Sequence, residues 1–190
     1  MAALTPFKVE LAKIARRENE SFGSLRRGDR ELENRIERYC GDIGVPATAS
    51  VKSHYSAVFI SWCMRSAGAS EAEFPAQISH SKYAKRALMN AENNEGLFQA
   101  RRVESYAPQP GDVIHLNRDG GNVDYDRIRA GGYNSESGIV VDIQPNKAVI
   151  VMGNQEPRGS VGIEALTLAD SGLLIQRIHN PFICVIEVLK

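Results

Sequence analysis

Apolar residues recur at helical spacing through the first half of the chain. Residues 5–44 predict two helices, the second of which begins after Asp29 as its N-cap. Two further helices are predicted over residues 55–68 and 79–91, because each has an apolar stripe along one face. Residues 45–53, which are mostly small, predict a linker between the second and third helices.

The second half of the chain has the pattern of a sheet. Strands are predicted at residues 113–116, 139–143, 148–152 and 182–189, and the turn 144–147 joins the middle two into a hairpin. Helices that come first and strands that come later are typical of an α+β protein with an antiparallel sheet. We therefore expect a single domain over residues 1–190. Its helical part covers residues 1–50, and a further helix and the sheet cover residues 51–190.

Composition and charge exclude several classes of protein. Lys and Arg number 23, as do Asp and Glu, so the chain lacks the broad basic field of a nucleic-acid binder. No apolar stretch approaches the roughly 20 residues of a membrane span, and residues 1–20 lack the features of a secretory signal. Three cysteines without CxxC spacing fit a reduced compartment. We expect a protein made in the cytoplasm, without nucleic-acid binding.

Ser56 stands at the first turn of the predicted third helix, directly after Tyr55. The N-terminus of a helix carries partial positive charge and free N–H groups, which stabilise a developing anion beside a nucleophile. Serine at this place is also a common helix cap. Taken alone, the local sequence favours the cap.

Five short segments occur in an order that resembles the CHAP and NlpC-type superfamily of cell-wall amidases and peptidases. They are Tyr55–Trp62, Ala67–Gly68, Pro110–Val113, Gly138–Val141 and Gly153–Asn154. The chain looks most similar to an uncharacterised bacterial branch that carries serine where relatives carry cysteine, and His80–Tyr83 is similar to a segment of that branch. The resemblance covers roughly residues 8–188. It implies a papain-like fold, in which the nucleophile helix packs on an antiparallel sheet, and hydrolysis of amide bonds in peptidoglycan.

The resemblance also implies a set of site residues, with departures from the family pattern. The nucleophilic cysteine falls on Ser56, the catalytic histidine on Glu136 and the acidic residue on Met152, while the polar partner Asn154 is kept. An ordinary glutamate, with a pKa of about 4.3, is a poor base at neutral pH unless burial raises that pKa. The alternative for Glu136 is an exposed carboxylate in a loop.

His80 offers a second route to a base. If it faces Ser56 across a cleft, a serine–histidine pair is restored from another element of the fold. The alternative is a histidine that caps a helix or fills the core. We interpret the other three histidines, His54, His115 and His179, as structural.

A metal site is less well supported. Asp119, Asn122, Asp124 and Asp126 place four oxygen donors in one glycine-rich loop, which would suit calcium. Their spacing does not match an EF-hand, so a solvated loop is favoured and calcium binding stays open. We expect neither a cofactor nor a metal in the site.

The leading hypothesis is a peptidoglycan amidase or peptidase whose cleft is lined by Ser56, His80, Glu136 and Asn154. A wall substrate would require export by a dedicated secretion system or a phage-type route, as for an antibacterial effector or a lysis factor. An immunity or delivery protein is then an expected partner. The second hypothesis is a catalytically inactive relative that binds peptide, glycan or protein in its cleft. A third is a glycan hydrolase that uses Glu18 or Glu136.

Overall fold

The computed structural model describes residues 3–190, in which α-helices precede a single large sheet. The helices are α1 (Pro6–Phe22), α2 (Arg30–Asp42), α3 (Ala49–Ser53), α4 (Ser56–Ser66) and α5 (His80–Asn93). The strands are β1 (Phe98–Arg101), β2 (Val113–Asn117), β3 (Ser135–Gln144), β4 (Lys147–Gln155), β5 (Ser160–Thr167) and β6 (Phe182–Val188). A 3₁₀-helix, Tyr125–Ala130, lies between β2 and β3. No helix in this part of the chain is long and apolar enough to cross a membrane.

The six strands form one antiparallel sheet in the order β1-β6-β2-β3-β4-β5. The hairpin of β3 and β4 has the predicted place, and β6 returns to the middle of the sheet, between β1 and β2. The N-terminal helices pack on this sheet, which confirms the α+β class.

The two faces of the sheet bury different apolar clusters. Val113 and Ile139 belong to the cluster shared with the helices, whereas Ile114 and Val140 belong to a cluster on the opposite face. Because successive side chains of a strand point to opposite faces, this alternation fixes the direction of the residues in β2, and of those in β3 up to the irregularity between Val140 and Asp142. It also decides which polar residues of these strands face the helices.

The structure differs from the sequence prediction in three places. The predicted linker 45–53 contains α3, a short helix capped by the Thr48 side chain, which accepts a hydrogen bond from the Val51 amide at 3.3 Å. Strands β1 and β5 were not predicted, since β1 has only four residues and β5 lies at the edge of the sheet with five of its eight residues not buried. The polar loop 119–134 contains the 3₁₀-helix.

Helix α4 lies in direct contact with β4 at Gly153. A Cβ atom added there would meet the Phe59 Cβ at 2.6 Å and the Tyr55 ring at 3.2 Å. Tyr55 directly precedes α4 and Phe59 lies in its first turn, so the close packing holds the start of this helix against β4. The absence of a side chain at position 153 therefore sets the distance between α4 and the sheet.

We expect Gly153→Ala to lower the free energy of unfolding by about 1–3 kcal/mol, because an extra methyl group in a filled core forces the helix to shift. Denaturation in urea would measure the change. Gly41→Ala is the matched control, since a Cβ at Gly41 in α2 meets nothing within 4 Å and alanine favours a helix. Equal stability of the Gly153 variant and the wild type would contradict the direct contact.

Candidate active site

Ser56 is the first residue of α4, and its hydroxyl faces an imidazole. The Ser56 Oγ lies 2.8 Å from the Nε2 of His80. Tyr55, not Ser56, is the N-cap of the helix, so the interpretation of Ser56 as a cap is wrong. The first N–H groups of an α-helix have no partner within the helix, and in α4 these groups begin at Ser56 itself.

His80 is the first residue of α5, so the N-termini of two helices meet at this pair. Ser61, which lies further along α4, supports the contact. Its hydroxyl donates to the Gln77 carbonyl at 3.2 Å, and the Gln77 amide donates back to it at 3.1 Å. This double link holds the segment before α5 against α4 and so places His80 beside Ser56.

The other nitrogen of His80 has a partner of its own. The Nδ1 atom hydrogen-bonds the hydroxyl of Tyr83, which lies one helical turn further along α5. Tyr83 is buried, and the sequence indicated its place in the apolar stripe and in the resembled segment His80–Tyr83 but not its contact with the imidazole. The spacing of three residues between a histidine and a tyrosine on one helix was the only signal for this contact. Tyr83 fixes the orientation of the imidazole.

The surroundings keep His80 neutral. Burial lowers the pKa of His80 well below its usual range, and the nearby His115 and Arg118 lower it further. A neutral imidazole whose Nδ1–H donates to Tyr83 leaves Nε2 free to accept the proton of Ser56. The site therefore brings a serine hydroxyl and an unprotonated imidazole into hydrogen-bonding contact.

Ser56 and His80 lie at the bottom of an open cleft of about 330 Å³. Only 5% of the surface of Ser56 and 6% of that of His80 is exposed to solvent. The two residues therefore contact the cleft with a small part of their surface and are otherwise desolvated. The cleft is lined by His54, Ser56, Ile78, Ser79, His80, Arg118, Asp119, Tyr133, Asn134 and Ser135. His54, expected to be structural, is part of its wall.

The structure does not bring Glu136 to this cleft. Glu136 lies in β3 and not in a loop, and it pairs with Leu116 of β2. Its side chain points away from the helices, because its neighbours Ser135 and Ser137 take the opposite face. Burial raises the pKa of Glu136, while Arg118 lowers it. Because the Glu136 carboxylate lies on the face of the sheet away from the helices, its raised pKa does not make it a base for Ser56.

Asn154 is also outside the lining of the cleft, although it acts near the start of α4. Its Oδ1 accepts a hydrogen bond from Arg27 at 2.9 Å, and its Nδ2 donates to the Ser53 carbonyl at 3.3 Å. Ser53 ends α3, three residues before Ser56. Asn154 therefore holds the backbone that leads into α4 and does not orient an imidazole. Met152 is buried in the cluster on the opposite face of the sheet.

A second buried histidine lies behind the pair. His115 of β2 faces the helices, and its ring centre is 6.5 Å from that of His80. Its Nδ1 lies 2.9 Å from the Ser137 hydroxyl, and its Nε2 lies 3.2 Å from the Tyr133 hydroxyl. Burial lowers the pKa of His115 to about 3. The sequence did not indicate that this histidine belongs to the surroundings of the site.

One family model covers all of these residues. The model of the family DUF2272, described as an uncharacterized protein conserved in bacteria, matches residues 35–183. The chain belongs to this family. Ser56, His80, Tyr83, His115 and Tyr133 all lie inside the matched region. No curated protein and no solved structure matches the chain.

The aspartates of the loop 119–134 have separate contacts in this DUF2272 protein. Asp124 caps the 3₁₀-helix by accepting from the Arg127 amide at 3.1 Å, Asp126 pairs with Arg102, and Asp119 lies 3.5 Å from Arg118. Between residues 3 and 190, no group of three or more histidine, cysteine, aspartate or glutamate side chains could hold a metal ion. The three cysteines are buried free thiols.

The two neutral histidines predict acid sensitivity of the DUF2272 fold. Below pH 6.5 the unfolded chain binds protons at His80 and His115 that the folded chain does not bind. The free energy of unfolding should therefore decrease as the pH is lowered, by up to about 1.4 kcal/mol per pH unit for each histidine. Glu136 and Asp112, whose pKa values are raised, act in the opposite sense.

Urea denaturation between pH 6.5 and pH 4.5 measures this dependence. His115→Gln removes one of the two titrating groups, so its free energy of unfolding should depend less steeply on pH than that of the wild type. His179→Gln, at an exposed position, should keep the wild-type slope. Equal slopes for the His115 variant and the wild type would show that His115 is not buried in its neutral form.

Proposed function

We propose that the protein is a serine hydrolase that cleaves the amide bond of a peptide, with Ser56 as nucleophile and His80 as general base. The observation that carries the proposal is the 2.8 Å contact of the Ser56 Oγ with the His80 Nε2 at the bottom of an open cleft. A nucleophile within hydrogen-bond reach of a base, which is itself oriented by a third group, is the arrangement that activates a serine. Tyr83 is the third group.

The reaction follows from the positions of these atoms. As the Ser56 Oγ attacks the carbonyl carbon of the substrate, its proton passes to the Nε2 of His80. The oxyanion that forms lies near the N–H groups at the start of α4, which stabilise it. His80 then gives the proton to the leaving amine, the C–N bond breaks, and an ester of Ser56 remains. Water hydrolyses that ester, with His80 again as the base.

The substrate class rests on the resemblance to the CHAP and NlpC-type superfamily. In that group a helix with the nucleophile packs on an antiparallel sheet, and α4 against β4 has the same kind of arrangement. We propose a papain-like relationship and, by it, the peptide part of peptidoglycan as substrate. Such a substrate lies outside the cytoplasmic membrane, so a delivery protein, and an immunity protein that protects the producer, are proposed partners.

The alternative of a glycan hydrolase has less support. Glu18 is buried and bound by Arg35 at 2.9 Å and by the Tyr39 hydroxyl, and Glu136 lies on the far face of the sheet. A glycan hydrolase needs two carboxyl groups about 5 to 9.5 Å apart on the two sides of one bond. Neither glutamate lines the cleft of Ser56.

Purified peptidoglycan provides the test. We expect the protein to release fragments with new amino groups and no new reducing ends, and Ser56→Ala to release none. New reducing ends would indicate a glycan hydrolase. If the wild type binds peptidoglycan but cleaves neither peptidoglycan nor a mixed peptide library, the proposal is contradicted. That result would favour an inactive binder.

A further inference from the structure

Arg118 is a partly buried cation in the wall of the cleft that contains Ser56 and His80. It directly follows β2, and only 25% of its side-chain surface is exposed to solvent. A long side chain that is held in this way has already lost much of its conformational freedom, so a ligand does not have to order it. The cleft therefore carries a positive charge at a defined place.

The contacts of Arg118 differ from those of the other partly buried arginines. Each of the other four in residues 3–190 donates a hydrogen bond to a carboxylate. These pairs are Arg35 with Glu18, Arg65 with Glu71, Arg101 with Glu187 and Arg177 with Glu164. The side chain of Arg118 donates no hydrogen bond within the described chain, and its nearest carboxylate is that of Asp119. Its guanidinium is thus a set of donors without an acceptor.

Asp119 is a weak partner for this guanidinium. Its Oδ2 lies 3.5 Å from the Nε of Arg118, which is longer than the roughly 2.7–2.9 Å of a charge-assisted hydrogen bond. The Asp119 side chain is 68% exposed, so water screens its charge. An ion pair of this kind contributes little, and a better placed anion can take its place at the guanidinium.

The chemistry of the guanidinium indicates which anion that is. A guanidinium is a planar fork of N–H donors that fits a carboxylate through two parallel hydrogen bonds. The proposed substrate is a peptide, and a peptide carries carboxylates at its C-terminus and on its acidic side chains. Among the described residues that line the cleft, only Asp119 has a carboxylate of its own. The wall of the cleft therefore favours an acidic group of the substrate beside Arg118.

The size of the cleft places this acidic group close to the bond that is cleaved. Sites for small ligands usually have volumes of about 300–1,000 Å³. The cleft, with about 330 Å³, is near the lower limit, and Ser56, His80 and Arg118 all line this small space. A peptide with its amide carbonyl at Ser56 can bring to Arg118 only a group of the same residue or of a neighbouring residue.

We propose that Arg118 binds a carboxylate of the substrate next to the scissile amide bond, and that the protein thereby selects peptides with an acidic residue or a free C-terminus at that place. The inference rests on the proposed function of Ser56 and His80, and it adds the class of peptide that they cleave. Arg118 is a substrate-binding residue and takes no part in the transfer of protons.

A mixed peptide library, with the cleaved bonds identified by mass spectrometry, reveals this preference. We expect aspartate, glutamate or a free C-terminal carboxylate next to the cleaved bonds. The sequence that is cleaved best is then prepared in two forms, one with this carboxylate and one with a carboxamide in its place. The wild type should cleave the acid form with a kcat/KM about 10- to 100-fold higher, as expected for a hydrogen bond between charged groups.

Arg118→Gln should remove the preference, because glutamine keeps a polar side chain but not the positive charge. Its kcat/KM should fall at least tenfold for the acid form and should change little for the carboxamide form. Arg118→Lys, which keeps the charge without the planar fork, should keep part of the preference. Arg127→Gln is the matched control, since Arg127 is an exposed arginine of the following loop that does not line the cleft. It should keep the wild-type preference.

Two results would overturn the proposal. An equal loss for the acid and carboxamide forms in Arg118→Gln would mean that Arg118 acts through the fold or through His80 and does not bind a carboxylate. A wild type that cleaves both forms equally well would have no carboxylate site. In both cases the protein still cleaves peptide, so the proposal for Ser56 and His80 stands. If the wild type cleaves no peptide at all, the proposed function fails and the role of Arg118 fails with it.

Discussion

Ser56→Ala is expected to reduce kcat on a peptide amide by about 10³-fold or more, to the level left by binding and the helix donors alone. The fold should survive the change, because the Ser56 hydroxyl bonds His80 and does not cap α4. Circular dichroism and the urea midpoint of unfolding would confirm that the variant is folded. Turnover of the substrate found in the peptidoglycan experiment measures the loss.

Two further variants make this experiment specific. Ser66→Ala changes an exposed serine at the other end of the same helix and should keep full activity. Ser56→Cys should keep part of the activity, since a thiol beside a neutral imidazole is also a nucleophile and relatives in the resembled superfamily carry cysteine there. If Ser56→Ala retained more than a tenth of the wild-type kcat, Ser56 would not be the nucleophile.

His80→Ala has the second largest expected effect, again a loss of about 10³-fold in kcat. Without the imidazole, no Nε2 atom accepts the proton of Ser56 during the attack. The leaving amine also loses the group that would protonate it. The double variant Ser56→Ala, His80→Ala should be no slower than either single variant, because the two residues act as one unit. Steady-state kinetics of the four proteins form the complete cycle.

The control for this cycle is His179→Ala, which removes an exposed histidine and should change nothing. Additive losses in the double variant would mean that Ser56 and His80 act independently, which contradicts the shared role. The buried position of His80 makes folding a concern, so His80→Gln, which keeps a polar side chain of similar length, serves as a second variant. Both variants should lose activity alike.

Much of the fold followed from local patterns, because helix α4, helix α5 and the β3–β4 hairpin have strong periodic signals. Local patterns do not say which strands are neighbours. The position of β6 between β1 and β2, and the existence of β5 at the edge, depend on long-range pairing that no single segment encodes.

The sequence led to Ser56 and His80 but also to Glu136, and the difference lies in strand register. One residue along β3 turns a side chain from the helix face to the opposite face, so the resemblance aligned Glu136 with a catalytic position from which its carboxylate cannot reach the cleft. The sequence predicted a structural place for Tyr83 and His115, because the pattern of apolar residues indicates burial but not hydrogen-bond partners. Their hydrogen bonds arise only when α5 packs on the sheet.

The most direct measurement of the central claim is covalent labelling of the protein with a fluorophosphonate, a reagent that phosphonylates an activated serine. The claim is that His80 makes the Ser56 oxygen nucleophilic. We predict one adduct per chain, located by peptide mass spectrometry on Ser56, and a rate of labelling that falls by at least a hundredfold in His80→Ala. No adduct on Ser56, or the same rate of labelling without His80, would contradict it.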